Sequence, residues 1–511
     1  MIIAGVGLTV LLVLVVGIAV ARMVDGDSTN YLVAGRQLGA PLVAVALTTA
    51  AVDSNATIGN TDLSADLGFW AGASLALGLA ICLLLAGIFL ARPMNRMGLM
   101  TLADFFARRY TRRVEVIAGV LMVVSFTVLL AGNLVALGFL MEHFAGVPYE
   151  LGVIVAVALI LAYTVGGGLF SDVYTAVIQA VITVGATVAL FVWVASEHGI
   201  SVPDGAGPFD MGQLTDPAQG AAINWATLVS LGIGDLVAID FMQRIFGARS
   251  PEAARRACFV GAGATAAVGV VWSLIALTGA AKLGLTAANG PVVYELLDGG
   301  APVLLAVLVL SGVVAASFST GSGAVLATSA VTVRNVAGLK RAVEPGHKDP
   351  LLRWVRIAML PVAVCATILA VRVSQTGILL TLAFDLMLAC LVAPFVLGLF
   401  WRRATTAGAL VSIGVGVVVR LVFLVLTPTL YGVPNDLFYI ENGLVKEGFD
   451  GWATLLAGVI GVGVFVVVSL CSRSRDEEER DLRFLDHRAA TEEAAVAPDP
   501  RSPEGVAVGG T

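Results

Sequence analysis

Four aspartates stand in stretches otherwise strongly apolar: Asp53, Asp235, Asp240 and Asp385. An Asp at mid-membrane costs about 2.5–3.5 kcal/mol on insertion scales, so such residues point to ion ligation, substrate pairing or proton carriage. Asp53 lies in ALTTAAVDSNATIGNTDLS (46–64) and Asp235 in LGIGDLVAID (231–240), where small and polar residues interrupt the apolar run. Asp240 sits near the end of its run, and reaching water or Arg244 accounts for it. Asp385 lies well inside its run. A further segment, SGVVAASFSTGSGAVLATSA (311–330), spaces Ala316, Ser319 and Thr320 at i, i+3 and i+4, on one helix face. Two hydroxyls and a neighbouring carbonyl on one face suit a small hard cation. Small residues of this kind also let membrane helices pack closely, so the residues alone leave both readings open.

The elements that must position these groups are membrane helices. The chain of 511 residues is 58% hydrophobic and 13% charged, against about 25% charged in soluble domains. At about 20 apolar residues per crossing, it accommodates about thirteen spans. The first, without a basic residue before it, reads as a retained helix rather than a signal peptide. All but four of the 30 Lys and Arg (Lys282, Arg372, Arg420 and Lys446) fall on alternate connections, which places those connections inside. The N-terminus is then outside and the C-terminus cytoplasmic, in the plasma membrane. Neither the five Cys nor the four His form a metal or disulfide pattern. The interrupted runs around Asp53 and Asp235 open two successive groups of five helices. Interrupted helices at matching positions in two halves point to a transporter's binding site, because unwound backbone is tolerated at that depth only beside a cavity or ion.

Six segments resemble the sodium/solute symporter family, which has the leucine-transporter fold: YLVAGRQLG (31–39), LADFFARRYTRR (102–113), YTVGGGLFSDVYTAVIQ (163–179), QRIFGARSPEAARRA (243–257), AASFST (315–320) and PFVLGLFWRRATTAGAL (394–410). They follow the family's order on the expected membrane sides. The resemblance implies an all-α polytopic protein with a 5+5 inverted-repeat core. Residues 1–35 would be an extra N-terminal helix and inner loop, 36–197 the first repeat, 198–221 an outer loop and 222–403 the second repeat. Residues 404–472 would add two C-terminal helices, and 473–511 a disordered cytoplasmic tail, too poor in apolar residues to fold alone.

The resemblance also implies a sodium site made by the carbonyls of Ala51, Ser54 and Ala316 and the hydroxyls of Ser319 and Thr320. Asp53 occupies the place of an acidic residue important for sodium coupling, expected to hold the unwound segment. Asn55, Thr57, Asn60 and Asp235 would line the solute pocket, with Asp385 on a helix that closes it. One departure stands out. Relatives commonly carry Thr-Asp where this chain has Thr175-Ala176, and Asp172, one turn earlier, is the candidate replacement.

The expected activity is sodium-coupled symport of a small organic solute by alternating access, with no nucleic-acid partner and a monomer sufficient. Proton coupling through the membrane aspartates is the nearest alternative, and a transporter-like sensor a more distant one. Enzyme signatures such as HExxH or a phosphate loop with its Lys are missing from the sequence.

Overall fold

The computed structural model describes residues 2–340, 349–374, 376–435 and 438–472. The expected tail, 473–511, lies outside them. The main helices are α1 (Ile2–Val20), α2 (Ala40–Ala51), α3 (Asn60–Leu67), α4 (Phe69–Leu85), α5 (Arg112–Ala145), α6 (Tyr149–Glu197) and α7 (Ala221–Ile233). They continue with α8 (Ile239–Gly247), α9 (Pro251–Leu283), α10 (Val303–Val331), α11 (Pro350–Arg372), α12 (Thr376–Cys390), α13 (Thr406–Leu426) and α14 (Trp452–Cys471). The strands among the described residues are a short antiparallel hairpin, Thr429–Leu430 with Val433–Pro434.

Among the described residues, nine helices are long and apolar enough to cross a membrane, or twelve if each of three bent pairs forms one span. The chain is thus a multi-pass membrane protein. The bends separate Ala40–Ala51 from Asn55–Leu67 by 56°, Ala221–Val237 from Ile239–Gly247 by 48°, and Gly377–Cys390 from Ala393–Phe400 by 49°. The first two fall in the interrupted runs around Asp53 and Asp235. The helix of 49 residues, α6, would be about 74 Å long if straight, far more than a bilayer core of about 30 Å. It breaks at Gly168 (φ 54, ψ −134). A Cβ there would lie 2.4 Å from the Tyr31 carbonyl oxygen, so both the backbone angle and the close approach require glycine.

Helix ends follow local chemistry. The Ser250 hydroxyl accepts from the Ala253 amide ahead of Pro251, a capped and preset start for α9. Large apolar side chains such as Leu8, Leu12, Val181, Val188 and Leu360 stay exposed, as lipid-facing positions must. In the interior, α10 is buried from Val309 to Val331 and packs against α6, α5, α1, α11 and α2. This central helix carries the hydroxyls singled out from sequence.

Candidate functional site

The α2 helix stops because Val52 leaves the helical region (φ −94, ψ 71). Asp53 then organises the break. Its Oδ1 accepts from the Ala56 amide at 2.9 Å, restarting the chain as a cap would. Its Oδ2 accepts from Asn55 Nδ2 at 2.7 Å and from Asn133 Nδ2 of α5 at 2.8 Å. The Ser54 hydroxyl donates to Asn133 Oδ1 at 3.0 Å, and the Thr57 hydroxyl to the Asp53 carbonyl at 2.8 Å. With so many fixed donors, the carboxylate holds the unwound segment in one shape.

Opposite the last turn of α2 stands α10. The Ser319 hydroxyl donates to Thr49 Oγ1 and the Thr320 hydroxyl to the Ala50 carbonyl, both at 2.9 Å. A helix C-terminus presents carbonyls without intrahelical partners and a partial negative charge. Hydroxyl and carbonyl oxygens therefore converge where the two helices touch.

One turn further along α10, the Ser322 hydroxyl donates to Asp172 Oδ1 at 2.6 Å. Asp172 Oδ2 lies 3.0 Å from Arg244 Nη2, and Arg244 Nη1 lies 2.9 Å from Asp240 Oδ2. This fully buried triad ties α6, α8 and α10 together. Arg244, which the sequence places at the start of a basic inner connection, is interior and compensates two carboxylates.

Asp235 sits at the second break, where Ala238 turns extended (ψ 116) between α7 and α8. It is 1% exposed, and neither carboxylate oxygen has a hydrogen-bond partner. Asp53, Asp235 and Asp240 line a single small cavity of about 10 Å³ among buried residues, walled also by Thr320, Phe241 and Phe384.

Comparison with known proteins decides what this arrangement belongs to. The profile of the Sodium:solute symporter family matches residues 31–416. The chain belongs to the sodium:solute symporter family. It is a sodium-coupled solute symporter and not an enzyme. Relatives include the Homo sapiens high affinity choline transporter 1 (24% identical, 86% of this chain, 80% of the relative). Another is the sodium/proline symporter of Staphylococcus aureus (25%, 84% of this chain, 86% of the relative). In fold the symporter is similar to a Na+-coupled sialic acid symporter in its substrate-bound outward-open state. That match has a TM-score of 0.71 and 17% identity, covering 92% of this chain and 98% of the other. It is also similar to Mhp1, a nucleobase-cation-symport-1 family transporter (TM-score 0.58, 14% identity, 89% and 98% covered).

The symporter does not bring all the expected pocket residues together. Asn60 faces away from the cavity: its Oδ1 accepts from Ser64 and Ser273 at 3.0 and 2.7 Å, and its Nδ2 donates to the Gly269 carbonyl at 2.9 Å. It fastens α3 to α9. Thr57 turns its hydroxyl back on its own helix. Asp385 faces the C-terminal helices, paired with Arg420 of α13. That pairing explains one of the four basic residues outside the positive-inside pattern.

Several contributors escaped the sequence reading. Asn133 carries the signal that should have found it, a lone amide in an apolar run. Thr49, Ser322 and Phe384 carry none, since only packing reveals their direction.

A vestibule of about 560 Å³, lined by Asp66, Gln213, Asn224, Thr227, Thr381 and Tyr431 among others, opens beside the acidic 198–221 segment. At the opposite end polar pairs close the helices: Arg334 to Asp104 at 2.9 Å and Lys340 to Glu115 at 2.7 Å. Asn335 donates to both of those carboxylates.

Proposed function

We propose that the symporter drives a small organic solute into the cell with sodium, by alternating access. Sodium would bind between α2 and α10, held by the carbonyls of Ala51, Ser54 and Ala316 and the hydroxyls of Ser319 and Thr320. The observation that carries this reading is the direct contact of Ser319 and Thr320 with Thr49 and Ala50 at 2.9 Å. A cation there replaces the hydrogen bonds of Ser319 to the Thr49 hydroxyl and of Thr320 to the Ala50 carbonyl by ion contacts, and pins α10 to the break in α2. Asp53 holds that break through Asn55, Asn133 and Ala56, and Asn55 and Thr57 keep its shape. Entry of one charge at 100 mV supplies about 2.3 kcal/mol, roughly a fifty-fold accumulation.

The same reading sets the topology. Thirteen spans form two five-helix repeats (36–197 and 222–403) between an extra N-terminal helix (1–35) and two C-terminal helices (404–472). The N-terminus is outside, the C-terminus cytoplasmic, and the membrane the plasma membrane. The vestibule on the acidic side is the solute's way in, and the Asp104 and Glu115 pairs close the cytoplasmic exit. A monomer contains all the groups required.

Radioactive sodium binding to purified protein tests it. Saturable binding in wild type, abolished in Ser319→Ala/Thr320→Ala, is the expected result. Equal binding in both would overturn the site.

A further inference from the structure

The small cavity between the two helix breaks has an uneven charge balance. Asp53 is surrounded by donors, and Asp240 pairs with Arg244. Asp235 has neither: both oxygens are buried without a hydrogen-bond partner, and the polar group beside them is the Cys82 thiol, a weak donor. A buried carboxylate left unsatisfied is costly. Its natural complement is a positive group carrying N–H bonds.

We propose that Asp235, together with Asp53, receives the charged head of the transported solute, and that the solute is a small organic cation with at least one N–H donor. This rests on the proposed function above. Two features of the cavity support it. Apart from the carboxylates and Thr320 the wall is apolar, with Phe241 and Phe384 among it, and aromatic faces attract ammonium and guanidinium groups. The size also suits a head group: about 10 Å³ is close to one water's requirement. The remainder of the solute needs space towards the vestibule. There α12 is the partition, since Leu380 and Phe384 line the cavity while Gly377 and Thr381 line the vestibule.

Asp235 distinguishes two kinds of organic cation. A quaternary ammonium has no N–H and leaves the Asp235 oxygens unsatisfied. A primary or secondary ammonium, or a guanidinium, satisfies them.

The test uses the full chain in proteoliposomes with a sodium gradient, reading electrogenic currents on addition of ethanolamine, agmatine, choline, proline or glycerol. Currents with ethanolamine or agmatine and none with glycerol are expected. Asp235→Asn should weaken half-saturation by roughly ten- to a hundred-fold, the range of a lost charged hydrogen bond. Sodium binding should survive in that variant, which also shows that it folds. Choline acting as well as ethanolamine would overturn the N–H requirement. Currents only with proline or glycerol, no currents at all, or an unaffected Asp235→Asn variant would overturn the proposal. A solute-free current driven by a pH step and lost in Asp235→Asn would also overturn it, making Asp235 a proton carrier. Sodium binding is measured without solute: if wild type binds sodium saturably and no solute cation gives a current, this proposal fails and the sodium reading stands, whereas absent sodium binding in wild type fails the sodium reading itself.

Discussion

Asp385 of α12 and Arg420 of α13 form an ion pair inside the protein, with the side chains 0% and 8% exposed. Tyr431 and Thr454, hydrogen-bonded to each other at 2.8 Å, stand against it. The pair fastens the helix that separates vestibule from cavity to the two C-terminal helices. It is a joint between helices, and Asp385 does not line the cavity shared by Asp53, Asp235 and Asp240.

Removing one member should hurt more than removing both. Arg420→Met strands a buried carboxylate, an effect of about 3–5 kcal/mol in other buried pairs. Asp385→Leu/Arg420→Met should recover most of that loss. Thermal unfolding of the detergent-solubilised variants checks it, and a double variant as unstable as the single would refute the pairing argument.

Thr320 offers a finer probe of the sodium site than the double alanine variant. Thr320→Ser keeps the hydroxyl and should hold sodium half-saturation within about three-fold. Thr320→Ala should raise it by roughly ten-fold or more, as expected for one lost ion-dipole contact. Sodium titration of binding reads both, and similar values for the two would exclude a ligand role.

Asn133 touches Asp53 and Ser54 at once. Asn133→Leu removes a donor from the carboxylate and an acceptor from the hydroxyl, costing about 1–3 kcal/mol in stability. Sodium affinity should fall with it, because the unwound segment loses its tether to α5. A variant that is destabilised but binds sodium normally would confine Asn133 to a structural role.

Asp172, in contact with Ser322 and Arg244, is the proposed replacement for the carboxylate missing at Ala176. Asp172→Asn should therefore change the sodium dependence of uptake while Asp240 still holds Arg244. Unchanged sodium dependence would leave Asp172 as the guanidinium's counterion alone.

Gly234 lets α7 and α12 touch: a Cβ there would lie 2.4 Å from the Phe384 carbonyl oxygen. Gly234→Ala must push the two helices apart, at about 1–3 kcal/mol. Transport should slow while sodium binding at α2 and α10 persists, measured by uptake and binding on the same preparation.

How much of this was legible in the chain depends on the kind of information each feature carries. The breaks near Asp53 and Asp235 announce themselves as polar residues in apolar runs. Ser319 and Thr320 announce a shared face by their spacing. The pairing of Asp385 with Arg420, or of Asp172 with Arg244, is set by which helices become neighbours, and local periodicity does not encode that. Asn60 shows the opposite failure. Its amide reads as a pocket group in the sequence, but the side chain bonds Ser273 and Gly269 of α9 and Ser64 of its own helix. Asp235's isolation is also invisible in one dimension, because a missing partner is a property of the surroundings.

Asp385 leaves the ribosome about 35 residues ahead of Arg420. Until α13 follows, α12 carries an aspartate with an insertion penalty of about 2.5–3.5 kcal/mol and no counter-charge. The two helices are therefore a unit of biogenesis: α12 is held in the membrane at a loss until α13 brings the arginine beside it.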